Sequence, residues 1–414
     1  MSDETKADYS SGRSKVLDKL VEMTLSYGAL STITDKYFTN TSAIVAGKKE
    51  ADVTYAVFLR RRSIAALEPA IRLIKALVPD AQVTRFFEEG EKVPAQAKML
   101  EVSGPMSKLS EVETLMLQKV GFPCISARNA HAMCMAVPHA SFLDMHARHA
   151  TGAEMNLLAA YGASVGSDAA KVEDATVKGF VGSSQDLTAP LYGAKIGMGT
   201  MPHALIGYTG GDVVEATKLF IEELPDAPAV ISLVDYEGHE TSDALKCADW
   251  FFNTAKLQDQ GKSFGVRLDT HGGRFAEGLD FEKSIDIVGD FLGIDGEYNI
   301  VERILGQGAV HLDAGNLMVD RVRRILFGAG VSAASIIHMR QVLDQGGFTE
   351  ARIVTSSGFN TQKCHVMGAT GVPVNMIGTG SFLPATLTET YATADITSYD
   401  GVQRVKLGRE FLLE

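Results

Sequence analysis

Four residues on one short segment have the types and spacing to bring an imidazole to a bound phosphate: Gly197, Gly199, Pro202 and His203. We expect residues 195–200 to form a buried strand that ends in a glycine-spaced turn, with His203 on the segment that follows. The glycines permit close approach of an anion, and the proline suits the first turn of a helix, whose free N–H groups attract phosphate. An imidazole placed there can exchange a proton or a phosphoryl group. The alternative is a helix-capping turn with a structural histidine.

Short apolar runs that end in or beside a polar or small residue recur through the second part of the chain. They alternate with helical stretches, which predicts parallel strands joined by right-handed crossovers. The predicted strands cover residues 142–148, 176–183, 195–200, 229–236, 263–270, 351–356 and 374–379. Because α/β barrels carry their chemistry at the carboxyl ends of the strands, we expect the polar end residues to share one mouth. These residues are Arg148, Ser183, Ser184, Thr200, His203, Asp235, Arg267, Asp269, Ser356, Ser357, Gly358 and Gly378 to Gly380.

Two carboxylates, two arginines and a histidine at one mouth suit a polyhydroxylated, phosphorylated ligand. Asp235 and Asp269 could accept hydrogen bonds from ribose hydroxyls or bind Mg²⁺, while Arg148 and Arg267 could hold phosphates together with the glycine turns. A single residue of this kind is more often a structural cap. Its recurrence at successive strand ends favours a binding site.

The elements that position this mouth suggest two domains. We expect an N-terminal α+β domain over residues 1–138, joined by residues 383–414, and a catalytic barrel over residues 139–382. Residues 51–78 and 108–136 have apolar side chains spaced by three and four, which predicts two long helices. The Arg60, Arg61 and Arg62 run is then expected on a solvated helix face. Residues 275–347 exceed what a barrel needs and are predicted as a helical surface elaboration.

Composition excludes several function classes. The 414 residues are 45% hydrophobic and 22% charged, and no apolar run approaches the length of a membrane span, so we expect a soluble protein. A net charge of −12 argues against a nucleic-acid surface. The first residues do not resemble a secretory signal. The cysteines form no C-x-x-C pair, which favours reduced thiols in a cytoplasm over disulfides or zinc; they are Cys124, Cys134, Cys247 and Cys364.

The order of several short motifs along the chain carries a family resemblance. The motifs are Asp35-Lys36-Tyr37 for D-x-Y, Val57 to Arg61 for F-F-R-K, Gly199 to His203 for G-T-x-x-H, Val234-Asp235-Tyr236 for D-[ST]-Y, Arg267 to Thr270 for R-L-D-[ST], and the phosphate loops Ser356 to Gly358 and Gly378 to Gly380. The chain resembles the nicotinate enzymes of the type II phosphoribosyltransferase family, which also contains nicotinamide and quinolinate enzymes. The resemblance implies an α/β fold, with an irregular α/β barrel and an N-terminal α+β domain.

The resemblance also implies a reaction. The phosphoribosyl group of 5-phosphoribosyl 1-pyrophosphate would pass to the ring nitrogen of nicotinate, giving nicotinate mononucleotide and pyrophosphate in NAD biosynthesis. Asp235 and Asp269 would hold the ribose hydroxyls and offset the positive charge that develops on the sugar. Mg²⁺ would arrive with the pyrophosphate. His203 matches a position that ATP phosphorylates in the nicotinate and nicotinamide enzymes, which makes ATP an expected co-substrate.

The remaining site residues come from the same resemblance. Tyr37 would stack on the pyridine ring of a neighbouring subunit, which implies a homodimer or larger homo-oligomer. Arg60, Arg148, Ser184, Thr200 and Arg267 would bind substrates, and the 5′-phosphate would lie on Ser357, Gly358, Gly378, Thr379 and Gly380.

Two departures from the family pattern stand out. Met145 to His149 replaces an aromatic residue followed by G-x-R-R, which alters the ring pocket and loses one arginine. His271 to Arg274 replaces small residues and adds a possible cation near the phosphates.

Gly182 to Ser184 resembles the G-T-S of nicotinate enzymes, which favours nicotinate over nicotinamide. A quinolinate or nicotinamide enzyme and a non-catalytic nucleotide-binding relative stay open. A generic phosphate-binding barrel enzyme would want a strand-end lysine or carboxylate base, and the predicted strand ends contain no lysine suited to a Schiff base.

Overall fold

The computed structural model describes residues 3–307 and 315–413. The first part of the chain contains five helices and five strands. They are α1 (Asp3–Leu25), α2 (Leu30–Ile33), α3 (Lys36–Ala46), β1 (Asp52–Leu59), β2 (Ser63–Ile64), α4 (Glu68–Leu77), β3 (Gln82–Arg85), β4 (Lys92–Val93), β5 (Lys98–Pro105) and α5 (Met106–Ala136).

The second part alternates strands with helices and returns to strands at its end. Its elements are β6 (Ser141–Asp144), α6 (Ala153–Glu173), β7 (Gly179–Ser183), α7 (His203–Tyr208), α8 (Val213–Glu223), β8 (Ala229–Leu233), α9 (Glu240–Asp249), β9 (Ser263–Leu268), α10 (Phe281–Leu292), α11 (Glu297–Gly306), α12 (Gly315–Phe327), α13 (Ala333–Gln345), β10 (Arg352–Thr355), α14 (Thr361–Thr370), β11 (Met376–Thr379), β12 (Ala392–Tyr399) and β13 (Val402–Gln403).

A six-stranded sheet in the order β7-β6-β11-β10-β9-β8 has parallel strands throughout. Six of the seven predicted strands are therefore found, each shorter than predicted. Their shared direction places all the carboxyl ends at one edge, as an α/β barrel requires. The α/β fold class is confirmed.

The predicted strand over residues 195–200 is wrong. This segment forms no strand, and its Ile196 side chain is 70% exposed. Two closely spaced glycines, Gly197 and Gly199, disfavour a strand there because each costs backbone entropy and provides no side chain to pack. The segment lies between β7 and β8 in the chain, and it is fixed to the sheet by a hydrogen bond from Met198 N to Ser183 O at 2.7 Å. The parallel sheet is thus left open between its two edge strands.

The predicted long helix over residues 51–78 is also wrong, since this segment forms β1, β2 and α4. Residues on both faces of β1 are buried, which produces a nearly continuous apolar run rather than a clean alternation. Such a run also satisfies a spacing of three and four. Arg60, Arg61 and Arg62 consequently lie exposed after the end of a strand and not on a helix.

Strands from the first part of the chain and from its C-terminal part form a second, antiparallel sheet of order β13-β12-β1-β5-β3. β1 lies at its centre and pairs with β5 on one side and with β12 on the other. The predicted helix over 108–136 is confirmed as α5, which packs against α3, α4, α6 and α14. Residues 275–347 contain the predicted helices, α10 to α13, and residues 308–314 lie outside the described part. The predicted surface elaboration is wrong for α13, because most of its apolar side chains are buried and it packs against α9, α10 and β10.

All four cysteines are buried and free. Within residues 3–307 and 315–413, no helix is long and apolar enough to cross a membrane.

Helices α5 and α6 approach so closely that their contact depends on missing side chains. A Cβ atom at Gly166 would lie 2.0 Å from the backbone oxygen of Ala127, and one at Gly162 would lie 2.3 Å from that of Pro123. Backbone atoms cannot rotate away as a side chain can. The two helices can pack at this distance only with glycine at both positions.

We predict that Gly166→Ala lowers the free energy of unfolding by roughly 1–3 kcal/mol or more, because the added methyl group overpacks the helix contact. Urea denaturation followed by circular dichroism measures this change. Gly306→Ala is the matched control, since a Cβ on that helical glycine would meet nothing within 4 Å in the described part of the chain. Equal stability of Gly166→Ala and wild type would contradict the close contact.

Candidate active site

His203 and Asp235 form an ion-pair-like contact at the carboxyl edge of the parallel sheet. Asp235 follows β8, and His203 is the first residue of α7. The imidazole Nε2 lies 3.0 Å from Oδ1 and 3.1 Å from Oδ2 of Asp235. Burial raises the pKa of Asp235, nearby Asp269 raises it further, and His203 opposes both effects. The contact fixes the imidazole with Nε2 toward the carboxylate, and Nδ1 has no hydrogen-bond partner among the described residues.

Arg267 places a guanidinium under the same edge. It is the second-last residue of β9, its exposed fraction is 8%, and Asp269 comes directly after the strand. Its Nη2 donates to the backbone oxygen of Met201 at 3.1 Å, which ties the irregular segment before α7 to β9. Burial lowers the pKa of Arg267, while Asp269 and Asp235 act in the opposite direction. Two aspartates and an arginine therefore share one electrostatic environment.

The turn after β10 offers backbone groups to a ligand. Ser357 and Gly358 have φ angles of +76° and +69°, so two successive residues are in the left-handed region. A Cβ at Gly358 would meet no described residue within 4 Å. Concave turns of successive backbone N–H groups bind anions. The turn is thus suited to phosphate, as its sequence predicts.

Lys363 lies beside this turn and was not singled out from the sequence. Its ammonium group donates to the backbone oxygen of Ser357 at 2.9 Å and lies 4.3 Å from the ring centre of Phe359. Burial lowers the pKa of Lys363 to about 8, while Asp269 acts in the opposite direction. The residue escaped notice because it lies on α14, beyond the strand end. A cation one turn into the helix after a phosphate loop is the signal that could have found it.

The loop after β11 packs tightly against the end of β6. A Cβ at Gly378 would lie 2.6 Å from the Met145 sulfur, and one at Gly380 would lie 2.9 Å from the His146 Cα. The Thr379 hydroxyl donates to the backbone oxygen of Phe359 at 2.6 Å and accepts from Ser381 N at 2.9 Å. Thr379 therefore joins the two predicted phosphate loops, with its hydroxyl already hydrogen-bonded on both sides.

Several buried polar atoms at this edge have no hydrogen-bond partner within the described residues. Buried polar groups are nearly always satisfied in folded proteins, by protein, water or ligand. Burial lowers the pKa of the His146 imidazole to about 4, so the ring is neutral at physiological pH. The unpartnered atoms at strand ends are both ring nitrogens of His146, Nε of Arg267, Oγ1 of Thr355 and Oγ of Ser356.

Three other predicted residues lie at the same edge. Arg148 is exposed in the turn after β6 and donates from Nε to His149 Nε2 at 3.2 Å. Ser184 is the exposed residue directly after β7, and its N–H donates to the Asp144 backbone oxygen at 2.8 Å. Thr200 lies half-buried on the irregular segment before α7.

Tyr37 and Arg60 are not brought to this edge by the contacts of one chain. The Tyr37 side chain on α3 is 63% exposed, and its hydroxyl lies 3.4 Å from Asp35 Oδ2. It lines a cavity of about 460 Å³ whose other walls come from the antiparallel sheet, α5 and the C-terminal residues. Arg60 is exposed after β1.

Arg274 does not supply the free cation expected from its sequence position. Its Nη1 lies 2.7 Å from Glu240 Oε1, and its Nη2 donates to the backbone oxygen of Asp235 at 2.7 Å. The guanidinium therefore binds protein groups of the segment that follows β8. Glu240 gave no sequence signal because its partner lies on a different loop.

The described side chains contain no group of three or more His, Cys, Asp or Glu residues arranged to hold a metal ion.

Comparison with known proteins supports the fold. Residues 35–124 match the family model described as the N-terminal domain of quinolinate phosphoribosyl transferase, and the sequence matches no curated protein. The structure is similar to nicotinate-nucleotide pyrophosphorylase from Pyrococcus furiosus, with a TM-score of 0.62 and 21% identity over 94% of this chain and 79% of that chain.

Two further solved structures are similar to this chain in fold. The nicotinate-nucleotide pyrophosphorylase from Francisella tularensis gives a TM-score of 0.53 at 12% identity, over 92% of this chain and 96% of that one. Human nicotinic acid phosphoribosyltransferase gives 0.54 at 17% identity, over 90% of this chain and 76% of that one. The solved structures confirm the predicted fold, and the family model agrees with the resemblance over residues 35–124.

Proposed function

We propose that this protein, which has the type II phosphoribosyltransferase fold, transfers the phosphoribosyl group of 5-phosphoribosyl 1-pyrophosphate to the ring nitrogen of nicotinate. The bond from C1′ to the pyridine nitrogen forms as the bond from C1′ to pyrophosphate breaks. The products are nicotinate mononucleotide, an intermediate of NAD biosynthesis, and pyrophosphate. The observation that carries the proposal is the meeting of His203, Asp235, Asp269 and Arg267 at one edge of the sheet.

The charges at this edge suit the transition state of such a transfer. As pyrophosphate leaves, the ribose gains positive charge, and Asp235 and Asp269 stabilise it if they are already in place. Arg267 binds the departing phosphates through charge-assisted hydrogen bonds. The turn at Ser357 and Gly358 takes the 5′-phosphate on its backbone, and Mg²⁺ enters on the pyrophosphate.

The choice of pyridine rests on few groups. Ser184 offers an exposed hydroxyl that can donate to one carboxylate, and Arg148 supplies one cation nearby. A carboxylate at the position of Ser184 would instead favour nicotinamide. Quinolinate carries a second carboxylate and would need a further cation beside the first. We therefore propose nicotinate, with quinolinate as the second candidate.

We predict that the purified protein converts nicotinate, phosphoribosyl pyrophosphate and Mg²⁺ to nicotinate mononucleotide. Parallel reactions with nicotinamide and quinolinate, read by mass spectrometry, compare the three pyridines. If product forms only from quinolinate, the substrate is quinolinate and not nicotinate. Tight binding of phosphoribosyl pyrophosphate without product from any pyridine would indicate a non-catalytic relative.

We predict that Asp269→Asn lowers kcat by roughly 10²-fold or more while changing the KM of phosphoribosyl pyrophosphate much less. The reason is that the carboxylate interacts most strongly with the charge of the transition state. Steady-state kinetics measure both constants. Asp290→Asn, an exposed carboxylate on α10, serves as the control and should retain wild-type turnover. Near wild-type kcat for Asp269→Asn would refute the assigned role.

Tyr37 is proposed to complete the ring pocket of a neighbouring subunit, because it is exposed and has no contact with the barrel edge of its own chain. A homodimer with the N-terminal part of one chain over the barrel edge of the other satisfies this arrangement.

We predict that the Tyr37→Ala and Asp269→Asn variants each have low activity alone. When the two variants are mixed and exchange subunits, we expect about a quarter of the wild-type activity. A mixed dimer holds one site with both changes and one intact site. Light scattering checks the assembly, and activity after mixing checks the complementation. A mixture of Asp235→Asn with Asp269→Asn should regain nothing, since each barrel of the mixed dimer then carries one of the two changes. A stable monomer with full activity would rule out the shared site.

ATP coupling is proposed to act through His203. Because the Nε2–H donates to Asp235, the Nδ1 lone pair is free to attack the γ-phosphorus of ATP. The bond to the ADP oxygen breaks as the N–P bond forms, and Asp235 stabilises the resulting imidazolium. Glycosyl transfer itself depends on the aspartates and arginines.

We predict that His203→Ala abolishes ATP stimulation and leaves part of the ATP-independent synthesis. Labelling with γ-³²P ATP and Mg²⁺ should give an acid-labile label on the wild type and none on this variant. His271→Ala, an exposed histidine at the same edge, should keep the label. An unlabelled wild-type enzyme under conditions of turnover would show that the coupling role is absent.

A further inference from the structure

An ion pair with a fully buried carboxylate and a partly exposed guanidinium joins the two loops that carry the site aspartates. Glu240 begins α9, shortly after Asp235, and its side chain is fully buried. Arg274 lies in the loop that follows Asp269, and its Nη1 is 2.7 Å from Glu240 Oε1. A buried carboxylate whose cation is removed costs several kcal/mol, so the two loops are strongly held together here.

Each member of the pair binds the loop of one aspartate. Nη2 of Arg274 donates to the backbone oxygen of Asp235 at 2.7 Å. The hydroxyl of Thr270, the residue after Asp269, donates to Glu240 Oε1 at 2.9 Å. The other carboxylate oxygen of Glu240 accepts from a backbone N–H at 2.9 Å. The contacts run continuously from one aspartate to the other.

The backbone around Arg274 is also held by a hydrogen bond from the loop between α12 and α13. The N–H of Gly330 donates to the Arg274 backbone oxygen at 2.8 Å. Gly330 has a φ of +82°, and a Cβ there would lie 3.0 Å from the Cα of Gly272. The guanidinium is therefore held by its side-chain bonds and by its own main chain, and a different rotamer would break several contacts at once.

We propose that Glu240 and Arg274 are positioning residues that set the separation and orientation of Asp235 and Asp269 for phosphoribosyl transfer; this rests on the proposed function. Glu240 is fully enclosed, and both terminal nitrogens of Arg274 bond to protein groups. The pair acts on the reaction through the aspartates. A displacement of about 1 Å at a reacting centre can cost about 10²-fold in rate.

The decisive variant is the double substitution Glu240→Leu with Arg274→Met. Apolar side chains of similar volume often replace a buried ion pair without loss of stability, so the fold should survive while the bond to Asp235 is lost. We expect kcat to fall by about 10- to 100-fold, with the KM of phosphoribosyl pyrophosphate changed less than about threefold. A folded, assembled double variant with wild-type kcat would overturn the proposal.

A milder pair of variants covers the case in which the double variant fails to fold. Thr270→Val removes the hydroxyl that binds Glu240 at nearly constant volume, and Thr270→Ser keeps it. We expect kcat to fall by about tenfold in Thr270→Val and to return to within about threefold of wild type in Thr270→Ser. Equal kcat values for the two variants would overturn the proposal.

Arg340 provides a matched control at the opposite end of the sheet. Its guanidinium donates to the backbone oxygens of Ala351 at 2.6 Å and Phe348 at 2.9 Å, and it pairs with Asp344 at 2.8 Å. Arg340→Met should lower the melting temperature and leave kcat unchanged. If Arg340→Met lowers kcat as much as the double variant does, the loss of activity reflects general destabilisation, and the proposal is overturned.

The two proposals fail in different ways. A wild-type protein that forms no mononucleotide from any pyridine refutes the proposed function and the positioning role together. Wild-type turnover with unaffected kcat in the folded double variant and in Thr270→Val refutes the positioning role alone.

Discussion

A guanidinium buried at the end of a strand governs the electrostatics of the whole site. Arg267 lies under the carboxyl edge of the parallel sheet, where one hydrogen bond to Met201 uses part of its donor capacity and its Nε has no partner among the described residues. Burying a charge is costly unless anions compensate for it. Asp235 and Asp269 supply that compensation, and the site retains donors for a further anion.

The same arginine explains how an irregular segment can take the place of a strand. Between β7 and β8 the sheet has no hydrogen-bonded strand, yet the chain there is fixed at Met198 to β7 and at Met201 to β9. These attachments set where α7 begins and therefore where the His203 imidazole reaches Asp235. The backbone groups of a regular strand would be hydrogen-bonded to the neighbouring strands. The path of this segment is set instead by two hydrogen bonds, one of them from the Arg267 side chain.

The sequence predicted which residues lie at the carboxyl ends of the strands better than it predicted the elements in the first part of the chain. Aspartate, arginine and glycine turns at strand ends are local features, so Asp235, Asp269, Arg267 and the turn after β10 could be placed from the chain alone. The errors arose where local pattern is ambiguous, as in residues 51–78, where burial on both faces of β1 imitates helical spacing.

Other errors arose where the deciding contact is distant in sequence. Arg274 looks like a free cation in its own motif, and only the fold brings Glu240 to it. Lys363 was missed because its role depends on the bend of the chain back toward Ser357. Buried polar partners of this kind are set by tertiary geometry, which periodicity and spacing do not encode.

The pairing of β1 with β12 has a consequence for biosynthesis. Val53 aligns with Tyr399, and the N–H of Asp52 binds the side chain of Asp400 across a sequence separation of 348 residues. At about 5–20 residues per second, the ribosome needs roughly 20–70 s after making β1 before β12 exists. During that time one edge of the largely apolar strand β1 has no partner. Contacts between residues so far apart in the sequence also form slowly. The nascent chain must therefore complete its first sheet last, after the parallel sheet has emerged.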